Sequence, residues 1–235
     1  SRVSEIGPQS RPATPMPAPS LPAASVLVLA AIRLFLAVEA LIGSLQGNWL
    51  ALFVAGSALG LTFLPQLLAS RVNLRLPNGF LAAVALFVLA TIYLGEMHDF
   101  YTRFWWWDLV LHGSSAMGFG ILGFLLVFML FRGDRYAAPP WALGLLSFCT
   151  AMTVGAMWEV FEYGMDQGFG LNMQKSGLDD TMGDLIVNAV GAALAGLAGA
   201  AYLTGRSGRM GLAFETFITA NRRHFQKIVP RGRRK

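Results

Sequence analysis

The acidic residues of this chain concentrate in two short windows. Nine of the thirteen Asp and Glu residues lie between Glu96 and Asp108 or between Glu159 and Asp184. Within these windows polar residues recur every three or four positions, the spacing that places side chains on one face of a helix. Three polar stripes result: Asp108, His112 and Ser115; Glu159, Glu162 and Asp166; and Asp180, Asp184 and Asn188.

These stripes suit a metal site. An ionisable side chain that faces lipid costs about 2.5–3.5 kcal/mol near the middle of a membrane helix, so we expect the stripes to face one another. Crowded carboxylates then either stay partly protonated or bind a cation. Oxygen donors favour Mg²⁺, Mn²⁺ or Ca²⁺ over structural zinc. The predicted metal ligands are Asp108, His112, Glu159, Glu162, Asp166, Asp180, Asp184 and Asn188.

A purely structural interpretation stands beside the metal site. In it the acids bond to Ser and Trp side chains, Arg103 and Lys175, and so lock the helices together. In the first apolar segment, Arg33 either pairs with Glu39 or supplies a counter-charge, and the sequence leaves both open. The choice between these interpretations depends on how the helices are arranged.

Composition predicts that these helices lie in a membrane. Only 13% of the residues are charged, against roughly 25% in soluble domains. Apolar runs of about 20 residues, long enough to cross hydrocarbon, recur along the chain. The predicted fold is an all-α, polytopic bundle of six transmembrane helices, since a lipid-exposed backbone must satisfy its own hydrogen bonds. The expected spans cover about 24–44, 49–69, 79–97, 107–131, 141–165 and 181–204.

Basic residues predict the orientation of the bundle. Fifteen Lys and Arg residues flank the spans on the side of both termini, and two, Arg103 and Lys175, lie on the other side. By the positive-inside rule both termini are cytoplasmic. The acidic windows then face outward from a bacterial cytoplasmic membrane.

Two tails flank the membrane domain, which we place at 23–204. Residues 1–22 carry six prolines from Pro8 to Pro22 and are expected to be disordered. Residues 205–235 hold nine basic residues, and apolar residues from Leu212 to Ile228 recur at roughly helical spacing. This pattern predicts an amphipathic helix on the cytoplasmic leaflet, next to anionic lipids. The basic charge carries no nucleic-acid recognition motif, so nucleic acid is not an expected partner.

Three long motifs carry a family resemblance: LGEMHDFYTRFWWWDLVLHGSS from Leu94, WEVFEYGMDQGFGLNMQKSGLDDTMGDLIVNAVGA from Trp158, and LTFLPQLL from Leu61. Over about residues 25 to 204 the chain resembles the YjdF-like family of bacterial inner-membrane proteins, which implies a multi-pass topology and no established biochemical function.

A smaller set of residues is similar to the VanZ-like glycopeptide-resistance proteins. These residues are Glu162, Gln174, Asp184, Asn188 and Gly191. The Arg expected before the final Asp is missing unless Lys175 replaces it. This similarity would imply a role in the cell envelope, exerted at the outer face.

Three functions fit the residues. The first is binding of a divalent cation or a cell-envelope ligand at the outward-facing acidic site. The second is metal-assisted hydrolysis or transfer on a lipid-linked phosphate, with His112 as the acid/base. The third is cation- or proton-coupled transport, which the confinement of the acids to one side disfavours.

Overall fold

Six apolar helices form the body of the protein. The computed structural model describes residues 24–131, 138–206 and 208–225, and within these the secondary structure is helical, without strands. The helices long enough to cross a membrane are α1 (Ala24–Leu45), α2 (Trp49–Arg71), α3 (Asn78–Val88, continued by a π-helix over Leu89–Met97), α5 (Trp107–Leu130), α6 (Pro140–Phe169) and α7 (Leu178–Leu203). The all-α bundle of six spans predicted from the sequence is confirmed, with boundaries within four residues.

Short segments connect and extend these spans. The four-residue helix α4 (Phe100–Arg103) lies between the π-helix and α5. Helices α8 (Gly208–Ala220) and α9 (Arg222–Phe225) follow α7. The predicted N-terminal tail, residues 1–22, lies outside the described residues.

The spans pack as two groups of three. Helices α1, α2 and α3 surround the fully buried residues Leu36, Ala58 and Ala85. Helices α5, α6 and α7 all contact one another, and contacts between α5 and the π-helix link the two groups. The three polar stripes all belong to the second group, which therefore positions the candidate site.

Small residues let α5 and α7 approach closely. A Cβ atom added to Gly191 would lie 2.2 Å from the Gly113 carbonyl oxygen, so backbone meets backbone here. One turn deeper Ala195 faces Gly120, and one turn deeper again Gly199 packs on the Phe124 ring. Glycine and alanine at four-residue intervals are typical of tightly packed membrane helices. This close approach brings the polar stripes of α5 and α7 together at one end.

Arg33 interacts with neutral groups of α2. Its guanidinium donates to the Thr62 hydroxyl (3.1 Å), the Thr62 carbonyl (2.8 Å) and the Gln66 side-chain oxygen (2.9 Å). Glu39 lies instead beside the Tyr93 hydroxyl. Arg33 therefore fastens α1 to α2, and the suggested pairing with Glu39 is wrong.

The C-terminal helices pack on the end of the bundle that lies opposite the polar stripes. Phe214 is 1% exposed, and its ring lies 5.0 Å from that of Phe124 and 5.2 Å from that of Tyr202. The side chain of the buried Asn221 accepts from the Arg75 amide (2.7 Å) and donates to the Arg75 carbonyl (2.9 Å). The predicted helix is present from Gly208 to Ala220, but its aromatic face covers protein. The rings of this face find an apolar surface on α5 and α7, and the leaflet contact expected for the helix stays a prediction.

Candidate metal centre

The three polar stripes meet at one end of α5, α6 and α7. Helices α5 and α7 begin at this end and α6 finishes there, because the three helices are antiparallel neighbours. Asp108 lies in the first turn of α5, Asp180 in the first turn of α7, and Glu162 near the end of α6. The convergence predicted from the cost of lipid exposure is present.

His112 occupies the centre of the cluster. Its Nε2 atom lies 3.5 Å from Asp108 Oδ1 and 3.8 Å from Asp184 Oδ2. One donor atom from each of these three residues lies within 4.8 Å of the other two. His112 is 8% exposed and Asp184 only 2% exposed, so these two residues are nearly closed to solvent, whereas Asp108 is partly exposed.

The other ring nitrogen of His112 faces α6. Its Nδ1 atom lies 3.6 Å from Glu159 Oε1, and Glu159 is 5% exposed. Neither carboxylate oxygen of Glu159 has a hydrogen-bond partner among the described residues. Thr181 is near Glu159 without satisfying hydrogen-bond geometry. A buried carboxylate without partners is costly, so this arrangement points to a group that completes it.

Asn188 forms the floor of the cluster, one turn deeper than Asp184. It is completely buried, and neither its amide oxygen nor its amide nitrogen has a hydrogen-bond partner in the described part of the chain. A Cβ at Gly155 would lie 2.5 Å from the Asn188 amide nitrogen, so the glycine makes room for the side chain. This is a second unsatisfied polar group aimed into the same region.

Glu162 and Asp180 add negative charge to the cluster. The Trp158 indole, one turn earlier on α6, donates to Glu162 Oε1 at 2.9 Å. Glu162 is close enough to Glu159, Asp108 and Asp180 for mutual repulsion, and Asp184 is repelled by all four. Five carboxylates therefore share one end of three helices.

Lys175 is the basic side chain that contacts this group. Its ammonium lies 2.5 Å from Asp108 Oδ2 and 4.3 Å from the centre of the Tyr101 ring. Burial, reinforced by Asp108 and Glu96, raises the pKa of the Tyr101 phenol well above its usual value, so the ring stays neutral. A neutral aromatic face and a carboxylate together stabilise an ammonium group.

Asp166 has a separate role at the end of α6. Its two carboxylate oxygens accept from the Met173 amide (2.7 Å) and the Gln174 amide (2.9 Å). Gly170 and Gly177, both with positive φ, bound the loop that carries these amides and Lys175. Asp166 thus shapes the loop, and both of its oxygens are already engaged. Helix α7 begins at Leu178, so Asp179 and Asp180 both lie in its first turn.

The structure brings most of the predicted ligands together. Asp108, His112, Glu159, Glu162, Asp180 and Asp184 form the cluster, and Asn188 lies beneath it. The structural interpretation is realised in part, through Trp158–Glu162 and Lys175–Asp108. Sequence reasoning missed Tyr101, whose position depends on a tight contact with Gly95 in the π-helix. No periodic pattern in the sequence indicates that contact.

The donor set fits a small divalent cation. Neighbouring ligands of an octahedral ion at about 2.1 Å lie roughly 3 Å apart. The separations of 3.5 and 3.8 Å around His112 Nε2 therefore need to shrink by less than about 1 Å. Side-chain rotation is enough for such a change, so no movement of the helices is required.

These features define an α-helical, multi-pass membrane protein with an acidic and histidine-containing cluster at one end of its bundle. The chain belongs to the family of predicted membrane proteins designated DUF2238, whose model matches residues 23–205. The YjdF-like family is this same family, so the resemblance seen in the sequence is confirmed.

Comparison with individual proteins and with solved structures adds little to this family assignment. The chain is 26% identical over 98 residues to an uncharacterized protein of Thermotoga maritima, an alignment that covers 42% of this chain and half of that protein. No solved structure matches the chain. The similarity to VanZ-like proteins finds no support in these comparisons.

Proposed function

We propose that this protein binds a divalent cation through Asp108, His112 Nε2 and Asp184. The observation that carries this proposal is the buried His112 ring, with carboxylate oxygens from α5 and α7 at 3.5 and 3.8 Å from one nitrogen. The unsatisfied side chain of Asn188, one turn deeper on α7 than Asp184, is an independent sign that the cluster lacks a component.

Charge supports a cation in this place. Asp108, Glu159, Glu162, Asp180 and Asp184 carry up to five negative charges, and Lys175 is the one basic residue in contact with them in the described part of the chain. Buried like charges repel strongly, and a divalent ion offsets two of them at once. Five carboxylates and an amide in the same cluster as one imidazole match the preference of Mg²⁺, Mn²⁺ and Ca²⁺ for oxygen.

The site faces outward from a bacterial cytoplasmic membrane in this proposal. The support is the excess of Lys and Arg on the side of both termini, which predicts that this side is cytoplasmic. Arg222 and Arg223 are exposed at the opposite end from the cluster, and further basic residues follow them in sequence. These basic residues favour contact with anionic lipids at that end. A cation bound at the outer face lies where it can contact a cell-envelope ligand.

The geometry of the cluster fits a cation-binding site better than it fits the active site of an enzyme. A general acid or base needs a ring nitrogen free to reach a substrate. Both nitrogens of His112 already face carboxylates within 3.8 Å, so we assign it as a ligand. Hydrolysis or transfer on a lipid-linked phosphate would need another group for proton transfer, and coupled transport would need a polar path through the inner half.

Cation titration of the detergent-purified protein tests the proposal. We expect one bound Mn²⁺, Mg²⁺ or Ca²⁺ per chain by calorimetry and elemental analysis, and at least a hundredfold weaker binding in Asp184→Asn and His112→Gln. Asp179→Asn is the matched control, because Asp179 is an exposed acid in the same first turn of α7. A folded wild type that binds none of the three ions overturns the proposal, as does binding that Asp184→Asn leaves unchanged.

A further inference from the structure

Glu159 stands apart from the other acids of the cluster by its position. It approaches His112 from α6 at Nδ1, whereas Asp108 and Asp184 approach from α5 and α7 at Nε2. The cation proposed above lies on the Nε2 side. Glu159 is therefore behind the ring, separated from that cation by the imidazole itself.

The two ring nitrogens of histidine have different roles. A nitrogen that binds a metal offers its lone pair, so the ring proton must be on the other nitrogen. Metal-binding histidines almost always donate that second N–H to a carboxylate, a carbonyl or water. In this structure the group that faces Nδ1 at 3.6 Å is a carboxylate oxygen with no hydrogen-bond partner among the described residues.

We propose that Glu159 is a positioning residue that accepts a hydrogen bond from His112 Nδ1 and thereby presents Nε2 to the cation. This inference rests on the proposed cation site. The 3.6 Å separation is longer than a hydrogen bond by roughly half an ångström, a gap that rotation of the Glu159 side chain closes. The bond satisfies one of the two orphaned oxygens and keeps the ring from turning Nε2 away from Asp184.

Burial makes this role specific to Glu159. At 5% exposure it has little access to water that might take its place as the acceptor. Glu162, one turn further along α6, already accepts from the Trp158 indole at 2.9 Å. The two neighbouring glutamates thus have different roles: Glu162 accepts a hydrogen bond from its own helix, and Glu159 orients a residue of another helix.

Two variants separate positioning from direct ligation. Glu159→Gln keeps an oxygen acceptor for Nδ1–H but loses the negative charge, whereas Glu159→Leu removes the acceptor and retains an apolar side chain of similar size. We expect Mn²⁺ affinity within about fivefold of wild type for Glu159→Gln and a loss of roughly 10–100-fold for Glu159→Leu, the range usual for such partners. If Glu159 were a direct ligand, Glu159→Gln would lose as much affinity as Asp184→Asn, which would overturn the inference. Equal affinity in all three proteins would overturn it as well.

A metal-free measurement makes the test independent of cation binding. With ¹⁵N-labelled histidine, the nitrogen spectrum of His112 should show a protonated Nδ1 in the wild type and in Glu159→Gln, and an altered Nδ1 signal in Glu159→Leu. An unprotonated Nδ1 in the wild type overturns the role of Glu159. A protonated Nδ1 in a protein that binds no cation instead supports the Glu159–His112 contact and removes the proposed function alone.

Discussion

The Lys175 ammonium lies 2.5 Å from the Asp108 carboxylate, although the two residues are 67 positions apart in sequence. Lys175 comes from the loop between α6 and α7, and Asp108 from the first turn of α5. The same carboxylate is one of the three proposed cation ligands. Lys175 is therefore a counter-ion of Asp108, and in the proposed site it competes with the cation for this carboxylate.

Removal of this competitor should strengthen cation binding. For Lys175→Gln we expect about 3–30-fold tighter Mn²⁺ binding, because Asp108 is released and the cluster becomes one charge more negative. Calorimetric titration at fixed ionic strength measures the change. Arg103→Gln is the control: Arg103 is an exposed basic residue in α4, the short helix that precedes α5, and its loss changes net charge equally. Equal tightening in both variants would show a general charge effect and contradict a specific role for Lys175.

Asp166 provides a second prediction, one that separates loop order from ligation. Asp166→Ala frees the Met173 and Gln174 amides, so we expect faster amide hydrogen exchange across residues 170–177. Cation affinity should fall by less than tenfold, since neither Asp166 oxygen is available for a metal. Exchange measured by mass spectrometry, beside calorimetry, checks both halves. A loss of affinity as large as that of Asp184→Asn would place Asp166 among the ligands after all.

Length and composition were sufficient to predict the spans, because each run of about 20 apolar residues has one way to cross hydrocarbon. They were not sufficient to predict how the C-terminal helices pack. Apolar residues of α8 are equally consistent with lipid or protein as the covering surface, and only the fold places Phe124 and Tyr202 within reach of Phe214. Arg33 shows the same limit, since its acceptors Thr62 and Gln66 carry no charge that a sequence pattern could match.

The candidate site was predictable as far as helical periodicity extends. Spacing placed Asp108 with His112, and Asp180 with Asp184, on single faces, and the cost of exposure to lipid implied that the faces meet. Spacing also grouped Asp166 with the ligands, but the chain turns at Gly170, where φ is +67°, and the loop that follows brings two amides onto the Asp166 carboxylate. The register between the helices decides which nitrogen of His112 faces which carboxylate. A single sequence contains no information about that register.

Close packing of α5 and α7 leads to a prediction about stability. Gly191→Ala places a Cβ 2.2 Å from the Gly113 carbonyl oxygen, so the helices must separate. We expect a loss of about 1–3 kcal/mol in unfolding free energy despite the better helix propensity of alanine. Gly118→Ala on α5 is the control, because a Cβ there meets no atom within 4 Å. Reversible unfolding in mixed micelles measures both; an unchanged Gly191→Ala would show that the helices are not in backbone contact.

The outward orientation of the site is tested by labelling single cysteines in intact cells. Cys149 lies in α6 and is replaced by alanine first, after which Ser176→Cys and Thr204→Cys are made separately. Both positions are exposed, and they lie at opposite ends of α7. A membrane-impermeant maleimide, applied after the outer membrane is permeabilised if there is one, should label Ser176→Cys at once. It should reach Thr204→Cys only when the inner membrane is opened, because the proposed orientation places the basic end of the bundle in the cytoplasm. The reverse pattern would place the acidic cluster on the cytoplasmic side, where it would meet the cell's own pool of Mg²⁺ and lose its proposed contact with the envelope.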